Sequence, residues 1–424
     1  MEDFNPWWFG EEDYIYNEWK NSEVKWVPDI LNSFESRPFS LNFIFGPRQV
    51  GKTTAVKIYI YEMLINSRNP KSIFYYSCDE LSDYNELGEV LDTYLSARDE
   101  WGVNSSVIFL DEITFVDEWW RALKSRIDRG VLKNDVIYVL GSASVELLKG
   151  RERFPGRRGY GKDILFLPLD FNEYTRKIGG LNISSYTLEE LLGDRDVLIS
   201  NKPFRKGLER IFNTYMVTGG FPISIREYFT RGRVTSMSKK VYLDWIRGDI
   251  VRMGLSEKYM KEIISFLLRA RLTPISWYHI SRDTSINSPN TVRKYVEALE
   301  DLLVIKPLYL LSPDGRIMYR KNKKVHFIDP FIYHALSSYV KVDVYDETIV
   351  ESVVASHLMR IHDIFYWKDG SEVDIVALVG DIQVGFEVKW GVKRGRKPRH
   401  ITKYYILNKE VLPLFLASIK WNQI

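Results

Sequence analysis

The sequence predicts an α/β protein built on a parallel sheet, continued by a helical region and a smaller C-terminal α/β segment. Three observations carry that expectation. From residue 39 to about 170, short apolar runs (LNFIF, SIFYYS, VIFLDE, DVIYVLGS) alternate with helix-forming stretches such as KTTAVKIYIYEMLIN. That is the pattern of parallel strands covered by helices on both faces. Between the first run and the first helical stretch stands GPRQVGKTT at 46–54, of the form G-x-x-x-x-G-K-[ST]. Far downstream, the alternating runs EVDIVALV and IQVGFEVKW flank Gly380–Asp381, a dipeptide suited to a two-residue hairpin turn.

Bulk properties narrow the class. A chain of 424 residues is too long for one core, so two to four domains are expected. Hydrophobic content of 45% and charge of 27% are those of a globular protein. No apolar run approaches the ~18–20 residues of a membrane span, so no membrane partner is expected. The opening MEDFNPWWFGEEDYIY fits neither a signal nor a transit peptide. Cys78 is the only cysteine, which excludes a disulfide framework and a cysteine zinc site and points to a reducing, cytoplasmic setting. The six histidines are scattered, and no Ser/His/Asp or Cys/His nucleophilic arrangement is visible. Glutamine is scarce while Tyr, Ile, Lys and Glu are plentiful, a weak thermophile signature. A net charge of +3 is nearly neutral, but KWGVKRGRKPRH at 389–400 and RIMYRKNKK at 316–324 concentrate positive charge in one half, which favours an anionic partner.

The phosphate loop is read residue by residue. Gly46 and Gly51 let backbone N–H groups turn inward around phosphate oxygens at the positive end of the next helix. Pro47, Arg48, Gln49 and Val50 supply the intervening backbone, and Thr54 continues into the helix. Lys52 is placed to reach the β- and γ-phosphates of ATP, and Thr53 to set its hydroxyl on Mg²⁺. The strand VIFLDE delivers Asp111 and Glu112 at its carboxyl end, where ligands of open α/β sheets sit. Asp111 is expected to hold Mg²⁺ through its water shell, and Glu112 to polarise the attacking water. The strand VIYVLGSAS ends in Ser142 and Ser144, either a γ-phosphate sensor or a helix cap. Arg157 and Arg158 in FPGRRG fit an arginine finger for a neighbouring subunit in a homo-oligomer, or a plain surface loop.

In order along the chain, GPRQVGKTT, DEITFVDEWWRALKSRID, GSASVELL, PGRRG, LPLDFNEY and GGFPISIREY resemble an AAA-type ATPase family common in archaea and bacteria. The resemblance runs from about 39 to 390. It implies an ATPase core with a helical lid, then a winged helix, then a domain resembling restriction endonucleases, and it supplies no substrate. The expected divisions are an aromatic segment at 1–38, the ATPase core at 39–184, the lid at 185–255, the winged helix at 256–324 and the C-terminal domain at 325–424.

The winged helix has its own residue-level support. In SPNTVRKYVEALEDLL, Ser288 suits an N-cap and Pro289 the first helical position. Val292, Val296, Leu299 and Leu303 form one apolar stripe, with Tyr295 and Leu302 beside it. Asn290, Thr291, Arg293 and Lys294 remain on the exposed face near the helix start, where a recognition helix meets DNA. The hairpin around Ser312–Gly315 is the expected wing. Such modules also serve as protein contacts.

A tight turn at 380–381 would set Asp374 opposite Glu387 and Glu372 opposite Lys389, all four on one face. Opposed carboxylates destabilise each other, and hard oxygens in that arrangement invite Mg²⁺ or Mn²⁺. Lys389 would orient a water or stabilise a pentacoordinate phosphate. The same residues resemble the D…(D/E)-x-K motif of restriction-endonuclease-like proteins, matched by Asp374, Glu387 and Lys389, with Val373 where a proline often stands. That resemblance implies a further acid on a preceding helix, Glu351 or, second, Glu347. Lys393, Arg394, Arg396, Lys397 and Arg399 would follow a phosphate backbone. A surface hairpin with paired charges, or a nuclease fold that binds without cutting, would read the same way.

The functional expectation is an ATP-binding and ATP-hydrolysing protein acting on nucleic acid, with a divalent-metal-dependent DNA-binding or DNA-cleaving C-terminal domain. The competing expectations are a slow nucleotide-controlled switch with a non-catalytic C-terminal module, and a DNA-binding regulator dominated by the winged helix.

Overall fold

The computed structural model describes residues 1–142, 150–369, 371–391 and 401–421. The chain divides after Leu167 into two compact units.

The first unit holds five strands: β1 (Ser40–Gly46), β2 (Ile73–Ser77), β3 (Val107–Asp111), β4 (Val136–Ser142) and β5 (Asp163–Leu165). They lie in the order β2-β3-β4-β1-β5, and every pairing is parallel. Alternation sorts their side chains onto two faces. Val107 and Phe109 pack with Val56, Ile60 and Tyr138 on one face. Ile108 and Leu110 pack with Leu91, Tyr94 and Trp119 on the other. The apolar runs are continuous because both faces are buried. Strand β4 separates β1 from β3, and its last residue Ser142 pairs with Gly46.

Residues 1–38 show no periodicity in the sequence, and the structure explains why. Two short 3-10 turns, Glu2–Phe4 and Pro6–Phe9, run along the free edge of β2 and satisfy it with side chains. The Asn5 amide donates to Tyr75 O (2.9 Å) and accepts from Tyr75 N (2.7 Å). The indoles of Trp7 and Trp8 both donate to Ile73 O, at 3.1 and 2.9 Å. An exposed strand edge is an aggregation hazard, and these side chains cover it.

The second unit starts with helices, including Arg205–Thr218, Pro222–Arg231 and Ser236–Arg252. Helices Glu257–Ala270, Trp277–Arg282 and Pro289–Asp301 follow, then strands β6 (Ile305–Leu308), β7 (Leu310–Leu311), β8 (Ile317–Met318) and β9 (Lys324–Phe327). After helices Pro330–Val340 and Asp346–Leu358 come β10 (Ile364–Asp369), β11 (Ser371–Val379), β12 (Ile382–Lys389) and β13 (Lys403–Asn408). The β11–β12 ladder, from Ile375↔Phe386 to Val379↔Ile382, has the register the two-residue turn predicts. The hairpin β7–β8 encloses Ser312–Gly315 as expected, but β7 also pairs with β10 at Leu310↔Tyr366. The expected wing is therefore the edge of a six-stranded sheet, β13-β12-β11-β10-β7-β8. Strand β9 spans residues 324 and 325.

A buried carboxylate organises this unit. Asp329 caps the helix at 330–340 by accepting from Phe331 N (2.8 Å), and its other oxygen accepts from Gly220 N (2.8 Å). Gly219 has φ +58°, and a Cβ there would lie 1.8 Å from Asp329 Oδ1. Burial pushes the Asp329 carboxyl up to about 7.

Candidate nucleotide site and C-terminal carboxylate cluster

The phosphate loop has the backbone its glycines predict. Gly46 ends β1 against Phe166, whose carbonyl oxygen would be 1.9 Å from any Cβ at that position. Gln49 (φ 62°) and Gly51 (φ 95°) turn the chain through the left-handed region, and the helix Lys52–Ile65 begins at once. Val50 is buried, while Pro47, Arg48, Gln49 and Thr54 line the turn and first helical residues. The Lys52 ammonium donates to Gly46 O (3.1 Å) and Pro47 O (2.9 Å), so it lies over the loop's own carbonyls.

Strand β3 brings the acidic pair to this loop. Thr53 Oγ1 donates to Asp111 Oδ2 at 2.6 Å, Tyr75 OH donates to the same oxygen at 2.9 Å, and Glu112 N donates to Asp111 Oδ1 at 2.9 Å. Glu112 itself has φ 50° and faces Arg48 of the loop at 3.6 Å. A hydroxyl and a carboxylate already converging, beside a lysine and a loop of inward-turned backbone, are the donor set that a Mg²⁺–nucleotide needs. The residues present fit that group.

Two contributors escaped the sequence reading. Tyr75 orients Asp111, and burial together with the Asp111 charge pushes the Tyr75 phenol well up. Lys57, 2% exposed, stands 3.4 Å from the Tyr75 ring centroid and pairs with Asp13 at 2.9 Å. An ionisable residue inside an otherwise apolar helix stretch, AVKIYIY, was the available signal.

The other expected nucleotide residues are placed as follows. Ser142 brings its backbone beside Gly46, while its side chain, and all of Ser144, lie outside the described residues. Arg157 pairs with Asp128 (2.6 Å), and Arg158 pairs with Asp163 (2.8 Å) over the Phe43 ring. Arg158 O accepts from Leu41 N, so the PGRRG turn sits at the start of β1 and the phosphate loop at its end. Five residues of strand separate them, roughly 16 Å, so neither arginine serves this chain's own loop.

The expected recognition helix forms. Ser288 caps Pro289–Asp301 by accepting from Asn290 N, and Val292, Tyr295, Val296 and Leu299 are buried. The helix ends before Leu303, which is only half-buried with φ 53°. Arg293 and Lys294 are exposed, and Thr291 is half-buried. Arg293 is paired with Glu297 at 2.7 Å. On the hairpin and just after it, Arg316, Tyr319, Arg320 and Lys321 are all exposed, Tyr319 at 64%.

The C-terminal carboxylates converge, but around a residue the sequence did not flag. Lys324 Nζ, on β9, lies 3.0 Å from Glu351, 2.7 Å from Glu372 and 3.2 Å from Asp374. Burial opposes the Lys324 charge, but Glu351, Asp374 and Glu372 outweigh it and hold the ammonium well above the ordinary lysine value. Asp374 also accepts from Val388 N at 2.9 Å, and Lys389 pairs with Glu387. Burial and the Asp374 charge push the Glu387 carboxyl up, against the pull of Lys389. Glu347 is exposed. Glu351 and Asp374 thus share the Lys324 ammonium, while Glu387 pairs with Lys389. Among the described residues no group of three His, Cys, Asp or Glu is disposed to hold a metal. Lys393, Arg394, Arg396, Lys397 and Arg399 lie outside the described residues.

Comparison with known proteins defines the class of the first part of the chain. Residues 39–175 match the family model described as "AAA domain", and with the parallel sheet and phosphate loop they form an AAA-type P-loop ATPase fold. Residues 209–342 match a domain of unknown function (DUF8612), a span that runs from the helical region through the segment expected as a winged helix. No curated protein matches. Among solved structures, the chain is similar to the Aeropyrum pernix ORC2 protein in ADPNP–ADP complexes (12% identity, 71% of this chain, 88% of that one, TM-score 0.36). It is also similar to the A. pernix ORC1 protein in complex with DNA (16%, 74%, 89%, TM-score 0.32) and to a point variant of Thermotoga maritima RuvB (15%, 72%, 88%, TM-score 0.29). Likeness at this level fixes neither mechanism nor partner. No helix among the described residues is long and apolar enough to cross a membrane.

Proposed function

We propose that the chain binds and hydrolyses ATP with Mg²⁺ and couples this to an interaction with DNA. The observation that carries the reading is the convergence of Lys52, Thr53, Asp111 and Glu112 at one end of the parallel sheet. Lys52 would leave the carbonyls of Gly46 and Pro47 for the β- and γ-phosphates, and Thr53 and Asp111 would part to hold Mg²⁺ between them. Bound Mg²⁺ supplies charge that offsets the developing negative charge on the phosphate oxygens. Glu112 would orient the attacking water and take its proton, with Arg48 holding the carboxylate until the site is filled. The sensor role of Ser142, and a finger role for Arg157 or Arg158 across a homo-oligomer, belong to this proposal too.

The basic residues of the recognition helix and hairpin, Arg293, Lys294, Arg316, Arg320 and Lys321, with Thr291 beside them, support DNA as the anionic partner. Lys393, Arg394, Arg396 and Lys397, outside the described residues, belong to the proposal as further phosphate contacts. For the C-terminal part, cleavage through Glu351, Asp374, Glu387 and Lys389 competes with a non-catalytic binding role, and Lys324 among the carboxylates favours the binding role. Steady-state ATP hydrolysis with and without single-stranded, duplex and branched DNA, beside a Lys52→Ala control, tests the whole reading. Hydrolysis stimulated by one DNA form and lost in the control supports it. Hydrolysis indifferent to every DNA removes DNA as the partner.

A further inference from the structure

The C-terminal cluster sets four carboxylates, Glu351, Glu372, Asp374 and Glu387, near one another on the helix at 346–358 and on β11 and β12. Left alone, such a group repels itself and calls for a cation. In this chain the cation is covalently present. The Lys324 side chain is 3% exposed, and its ammonium touches three of the four carboxylates at 2.7–3.2 Å. Lys389 takes the fourth, Glu387, and Lys368 adds a contact to Glu372 at 3.1 Å.

The strand fixes this arrangement. Leu308 on β6 pairs with Lys324 on β9, so the backbone at 324 is held in a ladder. Neighbouring residues of a strand face opposite sides. Lys323 accordingly lies against the rings of Trp277 (5.2 Å) and Tyr309 (5.7 Å), while Lys324 points into the cluster. A divalent ion placed to bind the same oxygens at ~2.0–2.6 Å would need the point the ammonium holds. It would then leave a buried, positively charged lysine beside a second cation.

We infer that Lys324 is the resident cation of this cluster and that it excludes divalent metal. The C-terminal part is then a metal-independent module whose carboxylates join strand β9 to the six-stranded sheet. The inference deepens the binding-module reading above and is independent of ATP hydrolysis at the phosphate loop.

The test is a Mn²⁺ titration of the nucleotide-free full-length protein by calorimetry, where the phosphate loop carries no nucleotide to recruit metal. Wild type is expected to give only dilution heats. Lys324→Met, which keeps the side chain's bulk and removes its charge, is expected to bind Mn²⁺ at least about tenfold more tightly. Saturable binding by wild type that Asp374→Asn abolishes overturns the inference. So does a folded Lys324→Met variant that binds no better than wild type. If that variant does not fold, the melting temperature of nucleotide-free wild type with and without Mn²⁺ decides. No shift is expected, and a rise that disappears in Asp374→Asn sinks the idea. ATP hydrolysis by wild type, measured separately, distinguishes failure here from failure of the ATPase reading.

Discussion

Thr53 Oγ1 donates to Asp111 Oδ2 at 2.6 Å, joining the first turn of the helix after the phosphate loop to the end of the acidic strand. Both residues are among those that would hold Mg²⁺, and in this structure they hold each other. Lys52→Ala is expected to lower ATP hydrolysis by about a hundredfold or more, the scale of removing one preorganised charge donor. Glu112→Gln should separate the steps, retaining nucleotide binding while losing turnover. Fluorescent-nucleotide titration beside phosphate release reads both, and a Glu112→Gln variant that turns over normally removes Glu112 from the chemistry.

The covering of β2 by the N-terminal segment makes a second prediction. Trp7 is 3% exposed and donates to Ile73 O, so Trp7→Ala combines a large cavity with a lost hydrogen bond. A cost of about 3–5 kcal/mol follows. Asn5→Ala leaves both Tyr75 N and Tyr75 O without their side-chain partner, at roughly 1–3 kcal/mol per buried group. Urea denaturation of the two variants measures this. Tyr75 also orients Asp111, so Asn5→Ala should raise the KM for ATP as well. A drop in stability with unchanged KM would confine the segment to covering the edge.

The parts of the molecule that could be read from sequence are those whose determinants are local. The β11–β12 register was legible because Gly380–Asp381 fixes the turn and period-two alternation fixes the faces. The cap and stripe of the helix at 289–301 were legible for the same reason, Ser288 and the spacing of Val292, Val296 and Leu299 lying within four turns. The role of Asn5, Trp7 and Trp8 was not, because side chains paired to a strand some 65–70 residues away leave no periodic trace. Lys324 was hidden differently. In the string RKNKKVHF it is one of several lysines, and only the pairing of β9 turns it inward while Lys323 faces the other side. The membership of the β7–β8 hairpin in the C-terminal sheet rests on the single pair Leu310↔Tyr366, too little to register in the sequence.

Asp329 gives the second unit a pH dependence with a definite sign. Its carboxyl is pushed up to about 7 when folded, against an ordinary value of 3.8. Between those values the folded state holds a proton that the unfolded state has released. Its contribution is therefore fully present below pH ~4, declines as pH rises, and is lost above ~7, of order 2–4 kcal/mol in all. Asp329→Asn removes that proton. It also replaces one acceptor facing Gly220 N or Phe331 N, so the variant should be less stable at low pH but flatter between pH 4 and 7. Chemical denaturation across that range compares the two slopes, and equal slopes would show that another group carries the effect. Gly219→Ala should be worse than either, because its Cβ would meet Asp329 Oδ1 at 1.8 Å on a backbone with φ +58°.

The face of the helix at 289–301 distinguishes DNA contact from a protein-contact role through its salt dependence. Arg293 is paired with Glu297, but both side chains are more than half exposed, 65% and 52%. Such a pair is worth ~0–1 kcal/mol, so a phosphate or a base edge can displace the glutamate at little cost. Lys294, one residue on, is also exposed. If both contact the backbone, replacing each with alanine should reduce the slope of log K against log [salt] by about 0.9. If Arg293 instead reads a guanine, its loss should cost about 1–3 kcal/mol on the preferred sequence and much less on others, with Lys294→Ala weakening all sequences alike. Fluorescence anisotropy at several salt concentrations, on two duplexes of different sequence, resolves the two cases. A double variant whose affinity and slope both match wild type would remove this helix from the DNA surface and leave it as a protein-facing module.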